Sequence, residues 1–111
     1  MLGRILLEII MSLLSSLIEK ENVRNQKMII EYEKELASLP KGSVSAKRIG
    51  DNIYYYLNCR DGKKVISKYI GRNDDDIHQI SEAIKRRRQI KLILKELKRE
   101  QEQIKKMEAL L

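Results

Sequence analysis

Residues 52–72 read NIYYYLNCRDGKKVISKYIGR. Three consecutive tyrosines run into Asp61-Gly62, and a further tyrosine, Tyr69, sits in a second β-rich run. Asp-Gly between two alternating, β-branched or aromatic segments is a strong hairpin signal, because tight hairpin turns need positive φ. Upstream, SVSAKRI (43–49) supplies a third strand, and residues 50–52 supply the turn that joins it. The stretch is therefore expected to fold as a three-stranded antiparallel meander. A two-residue turn at Asp61-Gly62 pairs Arg60 with Lys63, Tyr56 with Ser67 and Tyr54 with Tyr69. Side chains alternate across a strand, so Tyr54, Tyr56 and Tyr69 share one face. Ile53, Tyr55, Leu57, Ile66 and Ile70 share the other, the natural face to pack on neighbouring elements.

A meander of this size cannot stand alone, and its flanks say what supports it. Pro40, the only proline, ends the preceding helical pattern sharply. Nothing between Arg4 and Leu39 breaks a helix. Arg4, Glu8, Ser12, Ser15 and Glu19 form a narrow polar stripe on a segment that is otherwise apolar, so its first five turns read as buried on most sides. Asn22 and Asn25 mark the place for a kink. After Gly71, Asn73 or Asp74 suits the N-cap of a second helix. There Ala83, Ile90, Leu97, Ile104 and Leu111 recur at intervals of seven, a coiled-coil pattern.

The expected fold is α+β: a long antiparallel helical hairpin, coiled-coil-like, with the three-stranded meander inserted at the tip. The expected segments are 1–39 (apolar helix), 40–72 (basic meander) and 73–111 (coiled-coil helix). Equal helix lengths set Asn25 opposite Arg88, and the basic run 85–91 beside residues 22–28.

Charge narrows the partner. The net charge is +7, and 23 Lys and Arg face 16 Asp and Glu. Residues 41–72 hold eight basic side chains against Asp51 and Asp61, so most of the excess lies there. A field concentrated in this way favours a polyanion, nucleic acid first. Tyrosines pack on sugars and bases while Lys and Arg neutralise phosphates. The candidate nucleic-acid-binding residues are Lys47, Tyr54, Tyr56, Arg60, Lys63, Lys64 and Tyr69, joined by Arg86, Arg87 and Arg88 of the KRRR run, with DNA placed ahead of RNA. Leu6, Ile10, Leu13, Leu14 and Leu17 are the candidate interface with a second copy or a protein partner.

Other chemistries find little support. One cysteine, Cys59, allows no internal disulfide and fits a cytoplasmic setting. The apolar run 5–18 is shorter than a membrane span and contains Glu8. Asp74-Asp75-Asp76-Ile77-His78 reads as a helix start rather than a metal site. No nucleophile–base pair or phosphate loop is visible. The reading is of a non-enzymatic protein with no cofactor, metal or small-molecule substrate and no membrane association. The other reading is a protein-binding adaptor or inhibitor, antitoxin-like, acting through its helices and basic tip.

The segment LPKGSVSAKRI…NIYYYLNCRDGKKVISKYIG resembles the core of a widespread group of short prokaryotic proteins. These share an LPxGS start, a YYYL strand, an RxGKK hairpin and an SKYIG close, followed by a charged helix. The resemblance covers residues 39 to about 97 and implies the fold unit rather than an activity. More loosely, the hairpin is similar to the opening strands of some transposases and to the three-stranded arm-binding domains of tyrosine recombinases, whose sheets contact DNA. That similarity implies contacts at Lys47, Tyr54, Tyr56, Arg60, Lys63 and Lys64, in a mobile-element, phage or defence-linked setting. This chain departs from those domains in having no strand tryptophan and much longer flanking helices.

Overall fold

A computed structural model describes residues 1–72 and 74–111, with the side chains of residues 74 and 75 outside the description. The proposed cap at Asn73 or Asp74 therefore lies outside the described residues. The fold is α+β. Two long helices, α1 (Leu2–Ser38) and α2 (Asp74–Leu110), flank in sequence an antiparallel meander of β1 (Ser43–Ile49), β2 (Asn52–Asp61) and β3 (Lys64–Gly71). The strand order is β1-β2-β3, so β2 is central. Two compact units cut across both helices: Met1–Glu35 with Leu92–Leu111, and Leu36–Lys91.

In the helical unit, α1 and α2 run antiparallel around the heptad positions of α2. Leu94, Leu97 and Ile104 are buried there. α1 is one continuous helix. Asn25, fully buried, turns toward α2 and donates to the Leu97 carbonyl at 3.1 Å and to Glu100 Oε2 at 3.4 Å. Gln101 Nε2 donates to Asn22 Oδ1 at 2.8 Å. These bonds place Asn25 opposite Leu97, where equal-length pairing places it opposite Arg88, a shift of about nine residues. Within its own unit, the basic run 85–91 meets the end of α1 and the opening of β1.

In the sheet-bearing unit, α2 packs on the sheet as well as on the end of α1. Val44 of β1 lines a recess with Ser81, Ile84 and Arg88, so the opening turns of α2 cover the sheet. Arg87 reaches the Leu36 carbonyl at the end of α1, at 2.6 Å. Ile77, Ile84 and Ile90 form the buried core of this unit.

Two further expectations are corrected. The β2–β3 turn is Gly62-Lys63, flanked by the pair Asp61–Lys64, so Asn58 faces Ser67 and Tyr56 faces Tyr69. Gly62 has φ 62° and, among the described residues, none other than glycine has positive φ, the pattern of a turn with glycine at its first central position. The register moves by two residues, which changes partners and leaves the side chains of residues 64–69 on their expected faces. The packing face is also less covered than expected: Ile53 and Ile66 are 46% and 50% exposed, because α2 meets this face around Val44 and its neighbour Leu57.

Residues 2–17 were expected to be buried on most sides. Within one chain all but the half-buried Met11 are exposed. Leu14 and Ile18 share an apolar recess with Met107, Leu110 and Leu111, and the residues before Leu14 meet no comparable cover.

Asn25 offers a direct test of what sets the helix register. A single buried amide specifies alignment at some cost in stability, and Asn25 Oδ1 has no hydrogen-bond partner. Asn25→Leu is expected to keep or raise the thermal midpoint. It is also expected to broaden the distance distribution between spin labels at positions 33 and 98, measured by pulsed electron resonance in a Cys59→Ser background.

Candidate nucleic-acid interface

Alternation along β2, in the observed register, builds one face from Asn52, Tyr54, Tyr56, Asn58 and Arg60. β1 contributes Lys47 opposite Tyr54 and Ser45 opposite Tyr56, and β3 contributes Tyr69 opposite Tyr56 and Ser67 opposite Asn58. Val44, on the other face, is the one against α2. The tyrosine face is turned from that helix.

The three predicted tyrosines meet. Tyr69 packs edge-on to Tyr56, with ring centroids 5.7 Å apart, and lies tilted to Tyr54 at 6.1 Å. Such edge contacts are favourable beyond their buried area, by about 0.5–1.5 kcal/mol each. Lys47 Nζ stands over the Tyr56 ring at 5.6 Å, and the Arg72 guanidinium over Tyr54 at 5.4 Å. Arg72 also donates to Asn52 Oδ1 at 2.6 Å. Beside the cluster, Ser67 Oγ donates to Asn58 Oδ1 at 2.6 Å, and Asn58 Nδ2 donates to Ser45 Oγ at 2.9 Å. This chain of bonds crosses all three strands next to the rings.

Arg72 and Asn52 were absent from the predicted set, and a bulge accounts for Arg72. Tyr56 pairs with Tyr69 but Tyr55 pairs with Gly71, so Ile70 is the extra residue. An inserted residue exchanges the faces of everything after it. Without the bulge Arg72 stands on the Ile53 side; with it, Arg72 reaches Tyr54. Gly71 takes φ 122°, in the left-handed region that admits the irregularity.

The remaining predicted residues divide. Arg60 lies on the tyrosine face, about 13 Å along β2 from Tyr56 at 3.3 Å per residue. Lys63 is in the turn, while Lys64 pairs with Asp61 and alternates to the opposite face. Arg88 lines two shallow recesses, one with Lys41 and Lys91 and one with Ser43, Ser81 and Lys85. Among the described residues no carboxylate lines either. Arg86 is half-buried on α2. Arg87 is committed elsewhere: it donates to the carbonyls of Leu36 and Leu39.

On either side of these arginines α2 is partly neutralised, by Glu82 on Lys85, Glu33 on Lys98 and Glu96 on Arg99. Among the described residues no three metal-ligating side chains gather, and no helix is long and apolar enough to cross a membrane.

No curated protein and no solved structure matches the chain. A family described as a domain of unknown function, DUF6788, matches residues 18–79. That stretch takes in the second half of α1, the whole meander with its tyrosine face, and the opening of α2. Since the match covers more than half of its residues, the chain belongs to the DUF6788 family.

Proposed function

We propose that the protein is a non-enzymatic, cytoplasmic nucleic-acid-binding protein that uses the tyrosine face of its meander. The observation that carries this reading is the composition of that face: three clustered tyrosines, Lys47, Arg60 and Arg72, with no carboxylate among the described residues placed on it. Lys63 in the adjacent turn extends the charge.

The geometry also favours a mode of contact. Lys47 and Arg72 already cover faces of Tyr56 and Tyr54, so these rings offer edges and hydroxyls rather than open platforms for a splayed base. Cations held over rings are pre-positioned for phosphates, which fits binding along a duplex backbone with little base preference. DNA duplex is the favoured ligand.

Anisotropy titrations of random duplex DNA, single-stranded DNA and RNA across a salt series test this. Four to five phosphate contacts predict a slope of log K against log salt of about −4 for duplex. Lys47→Ala and Arg72→Ala are each expected to reduce that slope by about 1, and to weaken binding by a similar factor on unrelated sequences. Folded protein that fails to bind any of the three polymers at low salt refutes the proposal.

A further inference from the structure

Most of the exposed large apolar side chains of the helical unit are on α1. The side of α1 turned to α2 runs through Ile18, Asn22, Asn25 and Ile29, and only Asn25 on it is fully buried. A second stripe, Leu6, Ile10, Leu13 and Leu17, stands roughly a third of a turn away from that side, at 100° per residue. These four are 50–61% exposed. Their 4-3-4 spacing is that of a coiled-coil seam.

We infer that this stripe is the seam of a homodimer, in which α1 packs antiparallel against α1 of a second copy. Three observations select that occupant. With Leu2 and Ile9 at its margin, the stripe leaves on the order of 700 Å² open to water, close to the ~800 Å² that each partner buries in a standard interface. The charges of residues 1–19 are only Arg4, Glu8 and Glu19, all on the polar stripe, so the seam presents no charge for an acidic or basic partner to read. A self-complementary apolar patch is what a two-fold interface requires.

The sequence also chooses the direction. In an antiparallel seam Leu6 faces Leu17 of the partner, and Ile10 faces Leu13. The same register sets Gly3 opposite Lys20, small against long, and the two helix dipoles oppose. A parallel seam sets Lys20 against its own copy and Gly3 against Gly3, a charge clash at one end and a void at the other. The membrane surface fits less well, because Arg4 is the one basic residue before Lys20.

The inference stands apart from the nucleic-acid reading and is tested without any polymer. Sedimentation of the intact chain at tens of micromolar is expected to give twice the 13.1 kDa chain mass. Leu13→Glu should weaken association at least 100-fold; Leu13 is exposed in the single chain, so its helix content should hold. In a Cys59→Ser background, the double variant Leu6→Cys, Leu17→Cys should form a disulfide-linked dimer on mild oxidation. Leu6→Cys alone should not. A monomeric mass overturns the inference, as does efficient linkage through Leu6→Cys alone, which marks a parallel seam. Monomer that partitions onto phosphatidylcholine–phosphatidylserine vesicles overturns it in favour of a lipid surface.

Discussion

Gly42→Ala is expected to abolish the ordered meander of the Leu36–Lys91 unit. Gly42 precedes β1 with φ 119°, a conformation that L side chains rarely adopt, and a Cβ there falls 2.3 Å from the Asn58 carbonyl oxygen. The same Cβ falls 3.1 Å from the Asn58 carbonyl carbon and from Cys59 Sγ. The obstacle is central-strand backbone, which cannot swing aside as a flexible side-chain end can. Relief requires β1 to separate from β2 at the Ser43–Asn58 pair, or the Cys59 thiol to give up the Lys41 carbonyl, to which it donates at 3.0 Å.

Backbone strain of this kind costs about 1–3 kcal/mol before the overlap is counted, so the total should exceed about 3 kcal/mol. The unit has little in reserve, because its sheet contributes no fully buried side chain. Amide exchange of residues 43–71 should rise to near-unfolded rates in the variant, with DNA binding lost in parallel. Gly62→Ala is the control. Its φ is 62° but nothing lies within 4 Å of the added carbon, so the expected cost is the left-handed penalty alone, about 1–2 kcal/mol. Equal protection in Gly42→Ala and the wild-type chain would show that β1 does not dock as described.

What could be read from the chain before its structure, and what could not, follows from which physics is local. Period-two alternation placed Tyr54, Tyr56 and Tyr69 on one face, and it did so despite a turn misplaced by one residue, because that slip moves the pairing register by two and preserves parity. The heptads of α2 identified Ile90, Leu97 and Ile104 as core for the same reason. Arg72 was hidden because a one-residue bulge at Ile70 reverses parity, and Gly71 beside it, the one local hint, reads equally as the end of the strand. The helix register was hidden because it depends on which side chains of two separate helices meet, as Asn25 meets the Leu97 carbonyl, and no local pattern fixes that alignment. Arg87 belongs with these non-local cases: its neighbours in the KRRR run suggested a ligand, and its position made it a cap.

Arg87→Gln should separate the structural arginine from the candidate binding ones. In a helix the Leu36 carbonyl accepts from the amide four residues on, but that residue is Pro40, which has no N–H. Leu39 N–H supplies a substitute at 3.2 Å, and Arg87 Nη1 supplies a stronger one at 2.6 Å while also reaching the Leu39 carbonyl at 3.1 Å. The sole proline thus creates the acceptor that Arg87 fills, and its positive charge also suits the carbonyl end of α1. Hydrogen bonds from a charged donor contribute about 1.5–3 kcal/mol, and here one side chain serves two half-buried carbonyls. Loss of about 2–3 kcal/mol is therefore expected for Arg87→Gln, read as a lowered urea midpoint. Duplex affinity of the folded fraction should stay within about twofold of wild type, because the guanidinium is already engaged. Arg88→Gln should do the reverse, leaving the midpoint within about 0.5 kcal/mol while weakening duplex binding, since Arg88 lines exposed basic recesses beside Lys41, Lys85 and Lys91. If Arg87→Gln instead left stability intact and abolished binding, the α1 carbonyls would not need it, and Arg87 would return to the interface.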